Sequence, residues 1–139
     1  VVITIIGLLA GAAVLSIGVL GDGEETEREA LRLQTILELL REEAVMQSRD
    51  YGILFSATGY RFYIYDHQIL DWVESKNEKF LLEHKLEIPL KISLALDGRD
   101  LVLDESFEEK AFQKREPHVL ILSSGEMTPF EAGLHREFS

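Results

Sequence analysis

The chain has 139 residues, enough for one domain, and carries 25 acidic against 14 basic residues for a formal charge of -11. It contains no cysteine, which excludes a disulfide scaffold, thiol catalysis and cysteine-ligated zinc. The acidic balance opposes sequence-independent binding to a phosphate backbone, because that binding depends on Lys and Arg.

Val1 to Leu20, "VVITIIGLLAGAAVLSIGVL", has no charged residue. At 1.5 Å per helical residue it would extend about 30 Å, the thickness of a bilayer core. A membrane-spanning helix over 1–21 is expected, with a globular part over 22–139. A secretory signal peptide fits less well, since its apolar region is roughly 7–15 residues and follows a basic stretch. Asp22, Glu24, Glu25, Glu27 and Glu29 crowd the C-terminal flank, where Arg28 is the first basic residue. A flank so poor in Lys and Arg points to the non-cytoplasmic side. Gly7 and Gly11 form a G-x-x-x-G pair beside Ala10, Ala12 and Ala13, a surface that lets a second helix backbone approach. Gly18, Gly21 and Gly23 each lower helix propensity by roughly 1 kcal/mol relative to Ala, so a bend or hinge is expected there.

An amphipathic helix follows over about 24–49. Ala30, Leu33, Leu37, Leu40 and Ala44 recur at spacings of three and four, with Ile36 and Val45 widening the stripe. Arg28, Glu29, Arg32, Glu38, Arg41 and Glu42 form the opposite, solvated face. The rest reads as six to eight short strands. "YGILFSATGYRFYIYD" predicts a hairpin turning at Thr58-Gly59. A strand is expected near Trp72, another from Lys91 to Leu96, and a turn at Asp97-Gly98 leads into Leu101 to Leu103. Val119 to Leu122 and a weaker run from Phe130 to His135 complete the set. An α+β fold, with a long helix laid on an antiparallel β-domain of two small sheets, buries both apolar faces.

Little in the sequence suggests chemistry. His67, His84, His118 and His135 stand singly, without metal-ligand spacing. Asp104, Glu105, Glu108 and Glu109 form an acidic loop that lacks the ligand spacing and glycine of an EF-hand, and reads as solvated. Ser123 and Ser124 do not sit in a G-x-S-x-G elbow. No nucleotide-binding or metalloprotease motif occurs, so no cofactor and no enzyme activity are expected.

"VVITIIGLLAGAAVLSIG" resembles the later part of the N-terminal helix of type IV pilins and type II secretion pseudopilins, whose cleavage motif and glutamate would lie just before Val1. "EALRLQTILELLREEAVMQSRDYGILF", "LEIPLKISLALDG" and "PHVLILSSGEMTPFEAGL" resemble the H-type minor pseudopilins (GspH family) of the type II secretion system. The helix is common to the superfamily, whereas the ending with Ser124, Gly125, Glu126, Thr128, Pro129 and Phe130 is more specific. The resemblance implies a pilin-like fold and an N-methylated, single-pass inner-membrane protein with its globular part in the periplasm. It implies a structural subunit near the tip of the pseudopilus, helping folded proteins across the outer membrane. Its partners would be the major G-type and minor I, J and K-type pseudopilins, with the secretin or a secreted substrate as further candidates. The motif itself reads as a turn, with Gly125 supplying backbone freedom and Phe130 reaching the core. The alternative within the superfamily is a FimT-like minor type IV pilin acting in pilus assembly or DNA uptake, against which the acidic charge argues.

Overall fold

The computed structural model describes residues 24–75, 81–87, 89–107 and 116–136. Helix α1 (Glu24–Gln47) carries Glu24, Glu25 and Glu27 in its first described turn. Leu33, Ile36, Leu37, Leu40 and Ala44 are buried, and Ala30 packs against their edge. Val45 does not widen the stripe: it is 52% exposed, because one residue past Ala44 rotates about 100° away from the core-facing seam. The helix ends at Gln47, earlier than about residue 49. Ser48 turns left-handed at φ 53°, and the Arg49 N–H donates to the Ala44 carbonyl at 3.1 Å, the signature of a Schellman cap built on a serine.

Eight strands follow among the described residues: β1 (Tyr51–Ser56), β2 (Gly59–Asp66), β3 (Asp71–Glu74), β4 (His84–Lys85), β5 (Leu90–Leu96), β6 (Arg99–Leu101), β7 (Val119–Ile121) and β8 (Phe130–Arg136). The first sheet runs β3-β2-β1-β7, with β4 added to the start of β2, and the second runs β6-β5-β8. Every pairing is antiparallel. This is the α+β architecture of one helix against two small sheets, with the helix crossing β7 and β8.

Strand β1 is buried along its whole length, which is why "YGILFS" is a continuous rather than an alternating apolar run. Gly52 marks its crowded side, since a Cβ there would lie 2.6 Å from the Pro117 ring. The run from Phe130, weak by composition, forms the longest pairing of the second sheet, from Leu96↔Phe130 to Leu90↔Arg136. Asp97 and Gly98 both have positive φ, 52° and 76°, as the two-residue type I′ turn joining β5 and β6 requires.

The β1–β2 turn is displaced by one residue from the sequence expectation. Ala57 and Thr58 make it, and Ser56↔Gly59 is its closing pair. Gly59 is needed for a close approach instead: a Cβ would lie 2.3 Å from the His84 carbonyl oxygen. The turn is also the joint between the sheets. The Ala57 N–H donates to the Asp104 carbonyl at 2.8 Å, and the Ala57 and Thr58 carbonyls accept from Ile92 at 2.7 Å and Leu86 at 2.8 Å.

Candidate assembly site

The C-terminal motif is a small device that carries the chain from one sheet to the other. After β7, the Leu122 carbonyl accepts from the Gly125 N–H and the Leu122 N–H donates to the Glu126 carbonyl, both at 2.8 Å. With Gly125 at φ 91°, this is a three-residue turn closed by a left-handed bulge glycine. Ser124 Oγ accepts from the Glu126 N–H at 3.3 Å, and the Asp50 carboxylate accepts from the Ser123 N–H at 2.8 Å. Gly125 is buried beneath α1, where an added Cβ would meet Val45 at 3.5 Å and Arg41 at 3.7 Å.

Thr128 binds Leu120 twice, its N–H donating to the Leu120 carbonyl at 2.9 Å and its hydroxyl accepting from the Leu120 N–H at 3.0 Å. Pro129 has no N–H with which to continue that pairing. Phe130 then enters the core as the first residue of β8, its ring centroid 6.2 Å from that of Phe55. Glu126 is exposed. These residues are therefore held by turn, bulge and crossover geometry, with Ser123 and Ser124 occupied by local and Asp50 contacts.

A second set of contacts fixes the N-terminal half of α1 to the β-domain. The Glu29 carboxylate takes a hydrogen bond from His84 Nε2 at 2.5 Å, and Glu25 pairs with Arg136 at 3.1 Å. The His84 ring lies 5.3 Å from Tyr60, whose hydroxyl is pushed well above its ordinary pKa by burial and then by the Glu29 charge. On β2, Arg61 reaches Glu83 at 2.6 Å and Glu74 at 3.7 Å and lies 4.4 Å over the Phe107 ring. Burial alone would lower its pKa, but the hydrogen bond and charge of Glu83, with Glu74, hold it above the usual value.

The structure keeps the histidines apart. His84 faces Glu29, His67 meets the Tyr65 ring, His118 Nδ1 accepts from the Phe55 N–H at 3.0 Å, and His135 sits opposite Lys91. Among the described residues no three His, Asp or Glu side chains gather as metal ligands. The acidic loop is less free than its composition implied. Asp104 and Glu105 each offer a carbonyl to the β1–β2 turn, and Glu105 also pairs with Lys91. Glu108, Glu109, Gly7, Gly11, Gly18, Gly21 and Gly23 lie outside the described residues. No helix among the described residues is long and apolar enough to cross a membrane.

The sequence expectations overlooked the Glu29–His84 and Glu25–Arg136 clasps, because each joins residues far apart in the chain. They also passed over the loop between β2 and β3, where "DHQILD" places two large apolar residues between aspartates.

A helix pinned at both ends to two small antiparallel sheets, with a turn-and-crossover ending, defines a pilin-like domain. The structure superimposes on the minor pseudopilin EpsH from the type 2 secretion system of Vibrio cholerae with a TM-score of 0.69, at 24% identity over 84% of this chain and 83% of that one. A second structure of that protein gives 0.63 at 22% identity, over 83% and 78%. No family model matches the chain. Type II secretion system protein H of Pseudomonas aeruginosa is 37% identical over 136 residues, covering 96% of this chain and 77% of the relative. The protein of the same name from Aeromonas hydrophila is 29% identical over 129 residues, covering 91% and 70%. The chain belongs to the type II secretion system protein H family.

Proposed function

We propose that this chain is a minor pseudopilin that works by assembly: a subunit placed near the tip of the periplasmic pseudopilus, contacting the major G-type and the minor I, J and K-type pseudopilins. Its similarity to protein H along nearly the whole chain is the observation that carries the reading. The geometry supports it, since the residues specific to the family resemblance are spent on turn and crossover contacts rather than aimed into a reactive pocket.

In this reading Val1 to Leu20 holds the subunit in the inner membrane before assembly, and the domain faces the periplasm. Gly7 and Gly11 allow close helix packing in the membrane or filament, and Gly18, Gly21 and Gly23 let the anchor reorient as the subunit leaves the bilayer. Replacing those last three glycines with alanine should lower filament incorporation and secretion; unchanged levels of both would remove the hinge from the proposal. The charge of -11 disfavours DNA uptake.

The primary test is a pull-down of the detergent-solubilised full chain against separately purified major and I, J and K-type pseudopilins and duplex DNA at physiological salt. Saturable binding to a pseudopilin without DNA retention is expected. Salt-sensitive DNA binding with no pseudopilin bound would overturn the reading.

A further inference from the structure

The loop between β2 and β3 inverts the usual chemistry of an exposed turn. His67 to Leu70 are all exposed, and Ile69 and Leu70 leave 60% and 73% of their surface to solvent. Val73 on β3 adds a third apolar side chain, 43% exposed. Leu70 moreover holds φ at 55°, a left-handed conformation that its Cβ disfavours. A bulky apolar residue that is both strained and uncovered is poor for the isolated fold, and such outliers gather where contacts are made.

The loop is also braced. Asp66↔Asp71 closes the ladder, and the Asp66 carboxylate accepts from the Gln68 N–H at 2.8 Å. The Asp71 carboxylate accepts from the Trp72 N–H at 2.8 Å. Tyr65 meets His67 edge-on at 4.9 Å and Trp72 at 5.2 Å. Ile69 and Leu70 are thus presented on a preformed frame, which lowers the ordering cost of docking.

Position and charge select the occupant. The Tyr65 N–H donates to the Asp50 carbonyl at 3.0 Å, which sets the loop beside the C-terminal end of α1. At 1.5 Å per residue the helix separates that end from Glu24 by about 36 Å, so the loop lies toward the opposite end of the helix from Glu24. Asp66 and Asp71 flank the apolar pair, while the chain as a whole carries -11 and the first described turn of α1 holds Glu24, Glu25 and Glu27. Stacking one copy on another brings acid to acid; a different protein with a basic rim matches.

We propose that Ile69 and Leu70 form a plug that seats in an apolar pocket, rimmed by Lys or Arg, on a different pseudopilin subunit. The proposal rests on the assembly reading above and assigns it a surface. The test uses the detergent-solubilised full chain with a photo-crosslinking phenylalanine at position 69 or, as the control, at Val102, which is 100% exposed but lies beyond β6. Each is mixed with purified G, I, J and K-type pseudopilins.

An adduct with one of these from position 69, and none from position 102, is expected. Ile69→Ser and Leu70→Gly should each weaken that complex about tenfold, while Leu70→Gly keeps or raises the urea midpoint of the free chain. If the unaltered chain binds a pseudopilin and both variants bind within about twofold of it, the plug is wrong and the assembly reading stands. An adduct only with a second copy of this chain equally overturns the plug. Binding of the unaltered chain to no pseudopilin overturns both.

Discussion

Strand β2 begins and ends in a turn, and the two turns are built of the wrong materials for where they lie. At its start, Ala57 and Thr58 are small and partly polar, yet they are locked between the sheets by backbone bonds to Leu86, Ile92 and Asp104. At its end, Ile69 and Leu70 are large and apolar, yet they stand in solvent. The first turn is approached closely along its backbone by the second sheet, and the Thr58 hydroxyl reaches the Glu105 carbonyl beside it. The second has no such neighbour among the described residues, so its side chains project. Side-chain hydrophobicity alone ranks the two turns in the wrong order; backbone hydrogen bonding in one and backbone strain in the other set them right.

The comparison breaks most severely at Gly59. Alanine there would place a Cβ 2.3 Å from the His84 carbonyl oxygen. Strand β4 must move, taking His84 from Glu29, at a cost of about 3 kcal/mol. A fall in the urea midpoint at constant m-value measures it, and a loss below about 0.5 kcal/mol would show that the joint yields freely.

Next to that joint, Tyr60 supplies a pH test. Its phenol is kept neutral in the fold by burial and then by Glu29, whereas an unfolded tyrosine ionises around its ordinary value of 10.0. The fold therefore binds this proton more tightly than the unfolded chain. The stabilisation is complete below that value and is lost as pH rises past it. Tyr63, also raised by burial, adds in the same direction. Stability measured from pH 8 to 11 should fall for the natural chain and fall less steeply for Tyr60→Phe. Parallel slopes would mean that Tyr60 ionises in the fold as it does outside. A smaller effect is expected at Thr58, whose hydroxyl donates to the Glu105 carbonyl at 2.8 Å. Thr58→Val should cost about 1 kcal/mol, and Ile69→Ser, at the exposed turn, under about 0.5.

Much of this architecture was legible in the residues. The 3–4 spacing of Leu33, Leu37, Leu40 and Ala44 marks the helix face, and Asp97-Gly98 marks a hairpin turn, because each signal is local. Strand β8 was harder, since Glu131, Ala132 and Gly133 are poor strand formers, but Phe130, Ala132 and Leu134 still alternate inward. Strand β4 is two residues long and exists through its pairing with Gly59 and Tyr60, so no periodicity announces it. Gly59 misled because a glycine near a turn is read as a turn residue, whereas its role is close approach. At the C-terminal motif, composition left a turn and a reactive serine both open, and the turn at Gly125 was read only with the help of the resemblance. Its seat beneath Val45 and Arg41 and its tie to Asp50 are tertiary facts that spacing does not carry.

The finest test sets two strained residues at the same end of the molecule against each other. Ser48 and Leu70 both hold left-handed backbone, at φ 53° and 55°. Glycine relieves roughly 1–2 kcal/mol of Cβ strain at such a site. It also returns about 0.4–1 kcal/mol of entropy to the unfolded chain. Each substitution should therefore stabilise the free domain by about 0.5 kcal/mol, visible as a small rise in the urea midpoint. The two part company on assembly. Ser48 serves the helix cap, and a glycine cap keeps the Arg49 to Ala44 hydrogen bond. Ser48→Gly should leave pseudopilin binding unchanged, whereas Leu70→Gly should weaken it even as the fold gains stability. Equal binding by both variants would reduce Leu70 to an uncompensated strain, and equal loss would show that the effect is not specific to Leu70.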